Sequence, residues 1–202
     1  MVTDWPATYS TPTKELNRLR STNLVRLSLI WLAFFGSTLH SWAQTPDPGF
    51  YHKLFPKDAN LFRAMDVING GPEENTTQLA EAGNFSGQFW RFMPTGDGSF
   101  RLTTLFRGPA MCADIFNGGP HNNQVHLTPC ADFSGQFWFV NATSDPPPFS
   151  STFFARLTTK FRGTDVCLDH FQAGEGFFPR LAPCGNTARQ LWLVSRTDKR
   201  VE

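Results

Sequence analysis

An excess of charge of one sign is missing from this 202-residue chain, in which 18 Lys and Arg face 17 Asp and Glu for a formal net charge of +1. Nucleic-acid binding rests on basic contacts to phosphate, so nucleic acid is not an expected partner. Cysteine is scarce: the chain has four, with none of the close Cys-x-x-Cys pairs that favour zinc. His52, His121, His126 and His170 show no His-Glu-x-x-His or comparable spacing. No metal and no cofactor is therefore expected. Sustained helical periodicity is also absent beyond residue 43, where Gly70-Gly71-Pro72, Gly118-Gly119-Pro120 and Pro146-Pro147-Pro148 would break it.

Residues 1–43 stand apart from the rest. Arg18, Arg20 and Arg26 precede an apolar run from Leu27 to Phe35, and Ser41-Trp42-Ala43 supplies small residues where a signal peptidase reads them. This reads as a secretory leader cut before Gln44; a retained signal anchor is the alternative. The run is shorter than the roughly 20 apolar residues of a membrane span, so no stable membrane insertion is expected once the leader is cleaved. Cleavage removes four Lys/Arg and two Asp/Glu and brings the formal charge from +1 to about −1. The remainder, 44–202, is long enough for one domain with its own core.

That remainder is built from a repeated unit. Ala64 to Trp90 lies over Cys112 to Trp138 without a gap and matches at 13 of 27 positions. The matches include Asp66 with Asp114, Asn69-Gly70-Gly71-Pro72 with Asn117-Gly118-Gly119-Pro120, and Phe85 to Trp90 with Phe133 to Trp138. A third copy, Cys167 to Trp192, keeps Asp169, Leu181, Gln190 and Trp192 with one residue deleted. Three copies, about 50–95, 99–142 and 153–196, predict a closed threefold array or a short solenoid.

The repeat also bears on the cysteines. Copy two has Cys112 and Cys130, copy three has Cys167 and Cys184, and copy one has Ala64 and Ala82 at both equivalent places. Four cysteines allow three connectivities; loss of both members together selects Cys112 with Cys130 and Cys167 with Cys184. Disulfides suit an oxidising compartment and agree with export, extracellular or periplasmic.

Short apolar runs rich in Phe, Leu, Val and Thr, broken by Gly, Pro, Asn and Asp, predict an all-β chain. Each copy should hold about four strands, in copy two near Phe100–Leu105, Met111–Phe116, Gln124–Thr128 and Gln136–Val140. A Gly-rich turn and Gln-x-Trp in three ordered copies, with Cys-x-Asp and Leu-x-Pro-Cys in copies two and three, resemble the ricin B-type β-trefoil lectin family. The resemblance implies a six-stranded barrel with three hairpins and pseudo-threefold symmetry, with Trp90, Trp138 and Trp192 packed inside.

It further implies one shallow sugar site per copy. Asp66, Asp114 and Asp169 would accept hydrogen bonds from vicinal hydroxyls, a task suited to an acceptor-only carboxylate, braced by Gln88, Gln136 and Gln190. A turn-capping role is the structural alternative for each Asp. The chain departs from the family in two places. The ring the family carries before its second Cys is replaced by Ala80, Thr128 and Ala182, and the Asn before the motif Gln by Gly87, Gly135 and Arg189. Phe116 and Phe171 are candidate substitutes unless they are core, with Asn117, Asn123, His126 or Arg180 supplying polar contacts. Copy one, with Ile68 in place of Phe, has the weakest expected pocket.

Catalysis is not expected. Glycosidases need two carboxyl groups about 5 to 10 Å apart, whereas threefold-related aspartates on a domain this size lie on the order of 25 Å apart. The expectation is a secreted, non-enzymatic trefoil that binds a glycan or polysaccharide. The alternative is a trefoil that has lost its sugar pockets and docks on a separate protein, as an inhibitor or an accessory subunit of a toxin.

Overall fold

The computed structural model describes residues 44–59 and 61–202; the expected leader, 1–43, lies outside the described residues. Each copy contributes four strands. Copy one has β1 (Phe50–Pro56), β2 (Arg63–Val67), β3 (Thr77–Glu81) and β4 (Trp90–Pro94). Copy two has β5 (Phe100–Thr104), β6 (Met111–Ile115), β7 (Val125–Pro129) and β8 (Trp138–Ala142). Copy three has β9 (Thr152–Thr159), β10 (Gly163–Ala173), β11 (Gly176–Pro183) and β12 (Trp192–Arg200).

The first and last strands of each copy pair in a cycle, β1–β4–β5–β8–β9–β12 and back to β1, all antiparallel. Closure leaves this six-stranded barrel without a free edge. The middle strands form three hairpins, β2–β3, β6–β7 and β10–β11. This is a β-trefoil: of the closed array and the solenoid that the repeats allow, the array is the one formed, in the form that the resemblance implies.

The hairpins are tied to one another by backbone geometry. Asn75 and Asn123 sit at φ 66° and 70°, in the left-handed region that Asn tolerates better than most residues. Their carbonyls accept the N–H of Leu127 and Leu181 from the next copy, at 2.7 and 2.8 Å.

Trp90, Trp138 and Trp192 are fully buried with Leu54, Phe92, Leu102 and Leu157 in the main core. Each indole N–H, which must find an acceptor when buried, donates to a backbone carbonyl one residue before the repeat's Asp: Met65, Ala113 and Leu168, at 2.9, 3.0 and 2.8 Å. The motif glutamines lie in short 3-10 turns, Ser86–Gln88, Ser134–Gln136 and Ala188–Gln190. The last strand of copy two therefore begins at Trp138, two residues later than expected, because the turn is needed to swing Gln136 under its Asp.

Cys112 bonds to Cys130 and Cys167 to Cys184, with Cα atoms 4.9 and 5.0 Å apart, as the repeat selects. In copy one the counterparts Ala64 and Ala82 pack in a small apolar cluster with Phe55, Phe154, Leu191 and Leu193. Among the described residues no helix is long and apolar enough to cross a membrane.

Candidate functional site

Every copy carries the same buried polar unit beneath its Asp. Asp66, Asp114 and Asp169 are at most 9 % exposed. One carboxylate oxygen accepts the N–H of the following residue, Val67, Ile115 or His170, at 2.8, 2.7 and 2.7 Å. The other accepts Nε2–H of Gln88, Gln136 or Gln190 at 3.1, 3.0 and 2.9 Å. The same amide donates to the carbonyl of Glu81, Pro129 or Pro183. Its oxygen accepts a backbone N–H from Gly83, Ala131 or Gly185. A buried amide with both donor hydrogens and its acceptor engaged is a rigid brace. Burial raises the pKa of Asp66, against the opposing pull of Gln88, the Val67 N–H and the Lys53 ammonium.

What covers the carboxylate differs between copies. In copies one and two the residue before the Gln is glycine, and a Cβ there would stand 2.2 Å from Asp66 Oδ1 at Gly87, or 2.1 Å from Asp114 Oδ1 at Gly135. Over these glycines lie two equivalent clefts. The first, about 410 Å³, is lined by Asp66, Asn69, Gln78, Phe85, Ser86 and Phe106. The second, about 490 Å³, is lined by Asp114, Asn117, Asp132, Phe133, Ser134 and Phe161. Phe85 and Phe133 are 59 % and 60 % exposed, so each cleft has an open ring at its rim. Phe106 and Phe161 come from the following copy and are each covered by the next guanidinium, Arg107 or Arg162, at 4.2 Å. Glu74 holds Arg107 at 2.5 Å, and Asn122 holds Arg162 at 3.1 Å.

Copy three fills the same place. The N–H groups of Lys57, Leu105 and Lys160 donate to the carbonyls of Leu191, Phe89 and Phe137, which makes Asp58 the counterpart of Phe106 and Phe161. Asp58 accepts from His170 Nε2 through both oxygens, at 3.0 and 3.1 Å. Arg189 replaces the glycine and brings Nε to 3.4 Å from Asp169 Oδ1. Thr187 stands where Phe85 and Phe133 stand. The Asp58–His170 hydrogen bonds and the Arg189–Asp169 contact thus stand at the positions that phenylalanine and glycine hold in the other two copies, and copy one, expected to be weakest, matches copy two.

The remaining candidates are placed as follows. Asn117 lines the second cleft. Phe116 is not among the side chains lining that cleft; it stacks on His126, centroids 3.8 Å apart and planes 14° apart. His126 lies across the hairpin from Asp114, and burial lowers its pKa against the raising influence of that carboxylate. Phe171 packs beside Phe178 at 5.8 Å, with Arg180 over it at 4.6 Å. Asn123 is a hairpin corner whose side-chain oxygen is buried without a hydrogen-bond partner. The rings that line the clefts were missed because Phe106 and Phe161 reach them only through barrel closure, while Phe85 and Phe133 precede the motif rather than the second cysteine. Repetition of Phe85 as Phe133 was the available signal. Among the described residues no group of three or more His, Cys, Asp or Glu is arranged to hold a metal ion.

No protein-family model matches the chain, and no curated protein sequence matches it. Solved structures do. The BEL β-trefoil in an apo crystal form aligns over 76 % of this chain and 97 % of its own, with TM-score 0.56 and 12 % identity. The ricin B-like lectin of Macrolepiota procera in complex with lactose aligns over 76 % and 100 %, with TM-score 0.55 and 18 % identity. The cytolethal distending toxin of Haemophilus ducreyi aligns over 77 % and 88 %, with TM-score 0.55 and 12 % identity. At these identities the likeness is one of fold: the chain shares the β-trefoil with lectins and with a toxin component.

Proposed function

We propose that the chain is a secreted, non-enzymatic carbohydrate-binding protein whose working sites are the clefts of copies one and two. One observation carries this reading: a carboxylate fixed from below by Gln and a backbone N–H, left uncovered above by glycine, beside an exposed phenylalanine. Vicinal hydroxyls donate to the carboxylate, Asn69 or Asn117 and Ser86 or Ser134 offer further polar partners, and the apolar face of a sugar ring lies against Phe85 or Phe133. Two shallow sites on one domain gain avidity on a repeating glycan surface. The lactose complex of a lectin with this fold agrees in kind with the reading. The test is a glycan array and polysaccharide pull-down with the full chain, repeated with Asp66→Asn and Asp114→Asn together. Retention that disappears in the double variant supports the reading; no retention on any glycan, or retention unchanged, overturns it.

A second reading has its own observation. A mainly apolar groove of about 370 Å³ lined by Pro56, Leu61, Pro146, Pro148, Phe154 and Leu193, with Lys57 its one charged residue, is a surface of the kind that docks a protein partner. Co-purification of a stoichiometric protein that sugar does not displace would decide for it.

A further inference from the structure

The third hairpin differs from the other two in length and in chemistry. β2–β3 and β6–β7 end one residue beyond their Asp, at Val67 paired with Thr77 and at Ile115 paired with Val125. β10–β11 continues four residues beyond Asp169, to Ala173 paired with Gly176. At the strand rise, the three additional residues carry the hairpin about 10 Å further than the other two. Side chains of paired and alternate residues share a face, so Asp169 with Arg180 and Phe171 with Phe178 form one strip along it. Arg189 joins the strip at its base through Asp169.

We infer that this strip is a second binding face, for an acidic polysaccharide whose carboxylate or sulfate groups are taken by Arg180 and Arg189. Three observations carry it. First, arginine occupies both positions that flank the Asp only in copy three: Gln78 and His126 are the counterparts of Arg180, and Gly87 and Gly135 those of Arg189. Second, both guanidiniums are exposed, and among the described residues the only hydrogen-bonding or ionic contact of either side chain is the 3.4 Å approach of Arg189 to Asp169. Planar forks with free N–H edges suit carboxylate and sulfate oxygens. Third, Phe178 beside Phe171, half-buried in tandem, gives a sugar ring an apolar surface further along the hairpin than the two guanidiniums, of which Arg180 lies over the Phe171 ring. A polyphosphate fits less well, because Asp169 lies within the strip, Glu175 stands at its tip, and the chain as a whole has no basic excess. The inference is independent of the clefts in copies one and two.

The experiment measures binding of the full chain to polygalacturonate, dextran sulfate, neutral dextran and oligo(dT), across a range of NaCl concentrations. Polygalacturonate against dextran sulfate distinguishes carboxylate from sulfate as the recognised group. The expected result is salt-sensitive binding to at least one acidic polymer and none to dextran. Arg180→Gln and Arg189→Gln should each weaken it about tenfold, while exposed Lys199→Gln leaves it unchanged. Phe178→Ala, which leaves the ion pair in place, should weaken it several-fold while the chain still melts cooperatively well above the assay temperature, so a folding defect in the Arg189 variant leaves the idea testable. Absence of binding to both acidic polymers overturns the inference. So does equal binding of dextran, oligo(dT) bound as tightly as the polysaccharide, or equal losses in the Lys199 variant.

Discussion

In copies one and two the buried Asp carboxylate lines an open cleft, while in copy three, on the same scaffold, it is paired with a cation. Below the Asp the three copies agree atom for atom: a Gln brace, a backbone N–H and an indole bonded one residue upstream. Above it they diverge at three positions, where Gly, Phe and Phe in the first two copies become Arg189, Thr187 and Asp58 in the third. What recurs three times therefore belongs to folding, because a buried carboxylate and a buried amide must be satisfied wherever they occur. What recurs twice is free to differ without cost to the barrel, and is the better marker of function.

The largest expected effect tests whether copy one is equivalent to its neighbours within the barrel. His52 occupies the β1 position that Phe100 and Ala155 fill in copies two and three, and is 2 % exposed. Burial lowers its pKa to about 4 from 6.5. The native state thus keeps the ring neutral while the unfolded chain protonates it. Between pH 6.5 and 4 the unfolded state binds more protons, so stability falls as pH falls through that window, by about 3 kcal/mol at its foot. His52→Phe, which gives copy one the residue of copy two, should flatten this slope in urea melts taken from pH 7 to 4. An unchanged slope would locate the acid sensitivity elsewhere.

A second change sharpens the same equivalence. Ala64 and Ala82 stand where Cys112 and Cys130, or Cys167 and Cys184, are bonded. Ala64→Cys with Ala82→Cys should form a third disulfide and stabilise the chain by about 3 kcal/mol in the chain-entropy model. Intact mass with and without reductant shows the bond, and thermal melts its effect. Two free thiols under oxidising conditions would show that copy one holds its strands apart at this point.

A third change addresses the divergent positions directly. Gly135→Ala sets a Cβ 2.1 Å from Asp114 Oδ1, so the carboxylate must leave Gln136 or the Ile115 N–H, at about 1–3 kcal/mol. Arg189→Ala at the same point of copy three removes only a half-exposed ion pair, worth under about 1 kcal/mol. Similar losses in denaturant melts of the two variants would mean that the copies are packed alike above the Asp.

The sequence spoke most clearly where chemistry repeats. The Gln-x-Trp tripeptides marked the buried brace and core, and cysteines lost as a pair marked the disulfides. Phe116 and Phe171 were sensible candidates for a platform by their distance from the Asp, yet a ring two residues along a strand shares its face with the cross-strand neighbour, here His126 or Phe178 with Arg180, and is drawn to it. Phe106 and Phe161 lie three strands further along and belong to the next copy, so their proximity to Asp66 and Asp114 exists only once the barrel has closed. The same holds for Asp58 and His170, 112 residues apart. Arg189 was visible as a departure from the repeat pattern of the other two copies, but that it lies against Asp169 required the backbone of the shortened loop.

The smallest expected effect on stability is the most telling for the clefts. Phe85 and Phe133 are more than half exposed, so Phe85→Ala with Phe133→Ala should shift unfolding by no more than about 0.5 kcal/mol at each site. If these rings receive the sugar, the pair should nevertheless lose glycan retention, since the clefts keep their carboxylates but no open ring. Thr187→Ala, at the equivalent place in copy three, should leave retention unchanged. Isothermal titration with the neutral glycan retained most strongly by the wild type gives the answer as a stoichiometry: two sites in the wild type, two in the Thr187 variant, and weakened or absent heat in the double Phe variant. A stoichiometry of three would show that the Arg189–Asp169 pair opens for ligand, and would return copy three to the set of sugar sites.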